Sequence, residues 1–84
     1  DALEAVSTDG AALNAAVTAD EAAQRSLTFS RRQLQLGQIG DLAERSAEQA
    51  AAQARSARAA AEAARYADTA ALFQSLGGGW SAPP

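Results

Sequence analysis

Seven alanines, Ala43, Ala47, Ala50, Ala54, Ala57, Ala61 and Ala64, recur along the second half of the chain at alternating steps of four and three. That is the heptad spacing of helices packed along a seam. With a methyl group at every seam position, neighbouring backbones can approach closely, and a seven-residue period imposes a left-handed supercoil. The same feature argues against an ordinary globule. The 84 residues include 25 alanines but only 15 large apolar side chains. Ordering a residue costs about 1.5 kcal/mol, and burial returns only about 25 cal/mol per Å². A solitary monomer of this composition is expected to be marginal.

The rest of the chain agrees with helix. Ala, Leu, Gln, Glu and Arg dominate, and no proline occurs before Pro83. Glycine punctuates the pattern at Gly37 and Gly40, and again at Gly77, Gly78 and Gly79. The reading is all-α: a helix over about 2–35, a turn over about 36–40, a helix over about 41–76, and a disordered tail at 81–84. So short a turn makes the two helices an antiparallel hairpin, with residues 1–80 as one unit. Asp41 followed by Glu44 has the spacing of a capping box and sets the start of the second helix. Ser7, Thr8, Asp9 and Gly10 form a weaker break. A continuous helix is expected there, because Leu3 and Val6 precede it at helical spacing and one internal glycine costs only about 1 kcal/mol.

A second seam on the later helix runs through Ala52, Ser56, Ala59, Ala63, Tyr66, Ala70 and Phe73. Between the seams, one side carries Asp41, Glu44, Glu48, Arg55, Arg58, Glu62 and Arg65, expected to be a solvated stripe with pairs such as Arg58 to Glu62. The other side carries Ser46, Gln53, Ala60 and Ala67. Two small-residue flanks with wet faces between them suit a helix standing in a single-layer wall, which curves and closes into a tube. The first helix repeats the habit through Ala12, Ala16, Ala19, Ala23 and Ser26, and through Ala11, Ala15, Thr18 and Ala22.

Composition narrows the function. Histidine, cysteine and methionine are absent, removing the usual general base, thiol nucleophile and soft metal ligands. The chain is read as no enzyme, with no cofactor and no catalytic, cofactor-binding or metal residue. Seven basic against ten acidic residues give a net charge of −3, without the basic footprint of a nucleic-acid binder. No segment approaches the roughly 18–20 apolar residues of a membrane-spanning helix.

The ending from Tyr66 through Ala71, Leu72, Phe73, Gln74, Ser75, Leu76, Gly77, Gly78 and Gly79 to Trp80 resembles the C-terminal signature of the TolC-like outer-membrane factors, particularly their drug-efflux branch. Asp1, Ala2 and Leu3 resemble the opening of the later part of that family's penultimate long helix, and Leu36 and Gly37 fall at its turn. Residues 1–80 align with the pattern without a gap. The resemblance implies the last helical hairpin of a homotrimer whose β-barrel lies in the outer membrane of a Gram-negative bacterium and whose α-helical barrel crosses the periplasm. The chain would be a fragment of a longer protein. It would serve a tripartite efflux or export system with a periplasmic adaptor and an inner-membrane pump, conducting solutes passively.

The resemblance further implies an adaptor-contact tip at Leu36, Gly37 and Gln38, matching the family's Val-Gly-(Thr or Leu) motif. It also implies a periplasmic gate region at Asp41, Leu42, Glu44 and Arg45. Here the chain departs from the family, with Leu34 in place of a common tyrosine and Arg45 and Ser46 in place of a Leu-Asp pair. Asp41 and Glu44 would supply substitute negative charge. Read from the residues alone, Gly37 is a left-handed cap joining two helices, Leu42 a packing residue at the tip, and Phe73 and Trp80 anchors at a helix end. The alternative function is a stand-alone alanine-rich hairpin acting as an oligomerisation or protein-interaction module.

Overall fold

A computed structural model of the chain describes residues 1–77. Gly78, Gly79, Trp80 and the tail at 81–84 lie outside the described residues. Two helices account for nearly all of what is described, α1 (Ala2–Gln35) and α2 (Asp41–Gly77). The molecule measures 68 × 22 × 14 Å. Its thinnest dimension is close to the 10–12 Å diameter of one helix with its side chains. The two helices therefore lie side by side in one layer.

α1 opens with a complete capping box. The Asp1 side chain accepts from the Glu4 backbone N–H at 2.9 Å, and the Glu4 carboxylate reaches back to the Asp1 amine at 3.4 Å. The helix passes through Gly10 without interruption. The capping box expected at the start of α2 does not form. The Glu44 N–H goes to the Gly40 carbonyl at 3.3 Å, so Gly40 takes the capping place. The Glu44 carboxylate turns instead toward Arg31 on the other helix. An ion pair across the hairpin has displaced a local cap.

Asp20 of α1 pairs with Arg58 of α2, while Arg31, farther along α1, pairs with Glu44, earlier on α2. The helices are therefore antiparallel. On α1 the buried and half-buried line runs Ala2, Val6, Asp9, Leu13, Ala16, Asp20, Ala23, Leu27, Ser30 and Leu34, in steps of four and three. Facing it on α2 is the line Glu44, Ala47, Ala51, Ala54, Arg58, Ala61, Arg65, Asp68 and Leu72, of which Arg65 alone is exposed.

This pairing corrects the seam reading in two respects. The contact face of α2 takes Ala47, Ala54 and Ala61 from the alanine seam but leaves Ala43, Ala50, Ala57 and Ala64 exposed. It takes Glu44 and Arg58 from the stripe that was expected to face water. The physical reason lies on α1, where Leu13, Leu27 and Leu34 share one heptad line with Asp20. Burying those leucines brings Asp20 with them and draws Arg58 into the interface. Among the described residues the buried apolar side chains are Leu27 and Ala51, and the buried polar ones are Asp20 and Glu44.

Candidate interaction site at the hairpin tip and flanks

The tip is built by a specific helix ending. Leu36 keeps right-handed helical geometry, with its N–H on the Arg32 carbonyl at 3.0 Å, and Gly37 then turns to φ 75°. The Gly37 N–H bonds the Leu34 carbonyl at 3.0 Å, and the Gln38 N–H bonds the Gln33 carbonyl at 2.8 Å. Those two crossed bonds are the Schellman arrangement, which satisfies carbonyls that the helix leaves orphaned. A β-carbon on Gly37 would meet nothing within 4 Å, so the backbone angle alone restricts this position to glycine.

Leu36 and Gln38 are exposed beside it. Past the turn, Asp41, Leu42 and Arg45 also stand in the open, with Leu42 83% exposed. The tip thus presents two leucines to its surroundings, flanked by polar groups. Glu44 does not join them. It is 8% exposed, with Arg31 Nε 3.5 Å from one carboxylate oxygen and Glu48 sharing the same guanidinium at 3.7 Å. The neighbouring Glu48 carboxyl and burial push the Glu44 pKa up, and the Arg31 charge only partly opposes them.

Midway along the hairpin is a second polar layer. Asp20, 7% exposed, receives Arg58 Nη1 at 3.2 Å and Gln24 Nε2 at 3.1 Å, and Gln24 also reaches the Ala51 carbonyl at 3.4 Å. Arg58 donates from Nε to Glu62 at 3.2 Å, the pair expected from the sequence. The hydrogen bond to Asp20 raises the Arg58 pKa, with Glu62 adding to it. Replacing Asp20 with alanine is expected to lower the thermal midpoint more than replacing Glu62. Asp20 holds α1 to α2, whereas the exposed Arg58 to Glu62 pair is an intrahelical contact of a few tenths of a kcal/mol. Circular-dichroism melts of the two variants check this, and equal losses would contradict it.

The outer flanks are open. On α2, Ala52, Ser56, Ala59, Ala63, Tyr66, Ala70 and Phe73 are all exposed. Tyr66 and Phe73 enclose a crevice of about 370 Å³ with Thr69 and Ala70. On α1, Ala11, Ala15, Thr18 and Ala22 are exposed, as are Ala12, Ala19 and Ser26 of the other small-residue line. Only Ala16 and Ala23 of that line are partly covered by α2.

No known family, curated protein or solved structure matches this chain.

The turn is legible in the sequence, whereas the alanine seams do not reveal the polar residues of the hairpin interface: Asp9, Asp20, Gln24, Arg31 and Asp68. The signal was available in α1. Following its leucines rather than its alanines picks out the buried heptad line, with Asp9 and Asp20 on it. No residue of the described part gathers with two other His, Cys, Asp or Glu side chains as a metal site would require, and no described helix is long and apolar enough to cross a membrane.

Proposed function

We propose that this hairpin is a stave of a closed helical tube, the last hairpin of a TolC-like outer-membrane factor acting as the passive duct of a tripartite efflux or export system. The observation that carries the reading is the one-layer pairing. Each helix spends a single heptad line on its partner, leaving further lines of small residues uncovered on both outer flanks. A bundle would cover such lines within the chain. A wall of staves covers them with the next hairpin.

In this reading three copies of the parent chain assemble in the outer membrane, and this segment extends into the periplasm. Leu36, Gly37 and Gln38 meet the adaptor, which links the duct to an inner-membrane pump. Asp41, Leu42 and Arg45 stand at the mouth, and Glu44, held by Arg31, acts there through the rigidity of the hairpin. The hairpin itself does no chemistry.

The test is a photo-crosslinking residue in place of Ala63 on the exposed α2 flank of the parent protein in cells. Covalent dimers and trimers of the parent are expected, with Glu21, exposed on α1, as a comparison position. A parent that stays monomeric, crosslinking only within its own chain, would sink the proposal. Self-association of the 84-residue chain outside any membrane complex would instead support the interaction-module alternative.

A further inference from the structure

We propose that Asp9 of α1 and Asp68 of α2 form a proton-operated clasp that tightens the end of the hairpin remote from the tip when the surroundings turn acidic. The inference stands apart from the export reading, because it concerns how the two helices hold each other whatever surrounds them.

The placement is unusual for two acids. Asp9 and Asp68 occupy facing heptad lines of the antiparallel pair, and both are half-buried. One Asp9 carboxylate oxygen, Oδ2, is shut off from solvent with no hydrogen-bond partner. Two ionised carboxylates in such a place repel each other, and neither has a proton to donate. One added proton converts the repulsion into a carboxyl to carboxylate hydrogen bond.

The surrounding charges do not relieve the pair. From α2, Arg65 brings its guanidinium carbon to 3.9 Å from where a Gly10 β-carbon would stand, next to Asp9. No ion pair joins Arg65 to either aspartate among the described residues. Glu62, the other acid on this stretch of α2, is engaged with Arg58. On α1 the nearest preceding charges, Glu4 and the Asp1 amine, are exposed and paired with each other. The pKa of Asp9 is accordingly raised, first by the hydrogen bond its protonated form makes with Asp68, then by burial and by the charge of Asp68.

The sign follows from linkage. A carboxyl that holds its proton more tightly folded than unfolded stabilises the fold below its unfolded pKa. That contribution is lost as pH rises through the folded value. The clasp is fully closed below the unfolded aspartate value of about 3.9 and opens as pH rises through the higher folded value. The raised pKa of Glu44 near the tip works in the same direction, with Arg31 opposing it.

The experiment uses the 84-residue chain and two readouts. Carboxyl carbon NMR shifts are followed against pH for both aspartates. The expected result is two coupled steps, the upper one above the ordinary aspartate value of about 3.9. In parallel, helical melting is compared at pH 4 and pH 7 for the native chain, Asp9→Asn and Glu21→Gln. The asparagine amide can donate to Asp68 without a titrating proton. Asp9→Asn should therefore raise the midpoint at pH 7 and shrink the gain on acidification, while Glu21→Gln, on the exposed face, should leave that gain intact. Two aspartates titrating independently near 3.9 would overturn the clasp, as would an Asp9→Asn chain that keeps the native pH response.

Discussion

Leucine in place of Ala51 should lower the stability of the hairpin by about 1–3 kcal/mol, the usual cost of forcing extra methylenes into a packed contact. Ala51 is 3% exposed, the most covered of the buried residues, and its carbonyl accepts from Gln24 across the interface. A larger side chain there must push α1 away. It would thereby strain the Gln24 bridge and the ion pair of Asp20 with Arg58. For a chain of this size each kcal/mol moves the melting midpoint by about 4–8 °C, so the effect is readable by circular dichroism.

The informative companion is Ala57→Leu. Ala57 belongs to the alanine seam of the sequence, which Ala51 does not, yet it is exposed in the folded hairpin. The change should leave the isolated chain within about 0.5 kcal/mol of native. In the assembled parent, where a neighbouring stave would cover this line, it should impair oligomer formation. Equal losses for the two variants in the isolated chain would show that the interface of α1 with α2 is not the one described here.

Valine in place of Gly37 should act on both fold and function. At φ 75° an L-residue pays roughly 1–2 kcal/mol for the left-handed backbone, and a β-branched side chain fits it worst. Since nothing stands within 4 Å of a β-carbon there, the cost comes from the backbone and not from a clash. Gly40→Ser is the matched control, because Gly40 has equal space and no positive φ, and serine can keep the cap of α2. Under the proposed duct reading, Gly37→Val in the parent protein is expected to weaken adaptor crosslinking and export while leaving trimers intact. Normal export with normal adaptor crosslinking would remove the tip from the docking assignment.

How far the residues foretold the molecule differs from element to element. Helix formers on either side of Gly37 and Gly40 were enough to place two helices and the turn, since propensity and glycine conformation act locally. The helix runs on through Gly10, because a single glycine cannot outweigh the long run of helix formers around it. The cap at Asp41 was read from a spacing that is locally sound, yet Arg31, distant in sequence, claimed Glu44. The same happened to the charged stripe of α2. Whether it meets water depends on which way the helix is turned.

The chain's own chemistry therefore settles the all-helical hairpin, its sharp turn at Gly37 and the lines of methyl-sized side chains, because these follow from neighbouring residues. Only folding chose which heptad line of each helix is buried. Alanines are too small and too numerous to distinguish one face from another, and the choice fell to Leu13, Leu27 and Leu34 and to the charges of Asp20, Arg31, Glu44 and Arg58. Partners of that kind come together only across the hairpin.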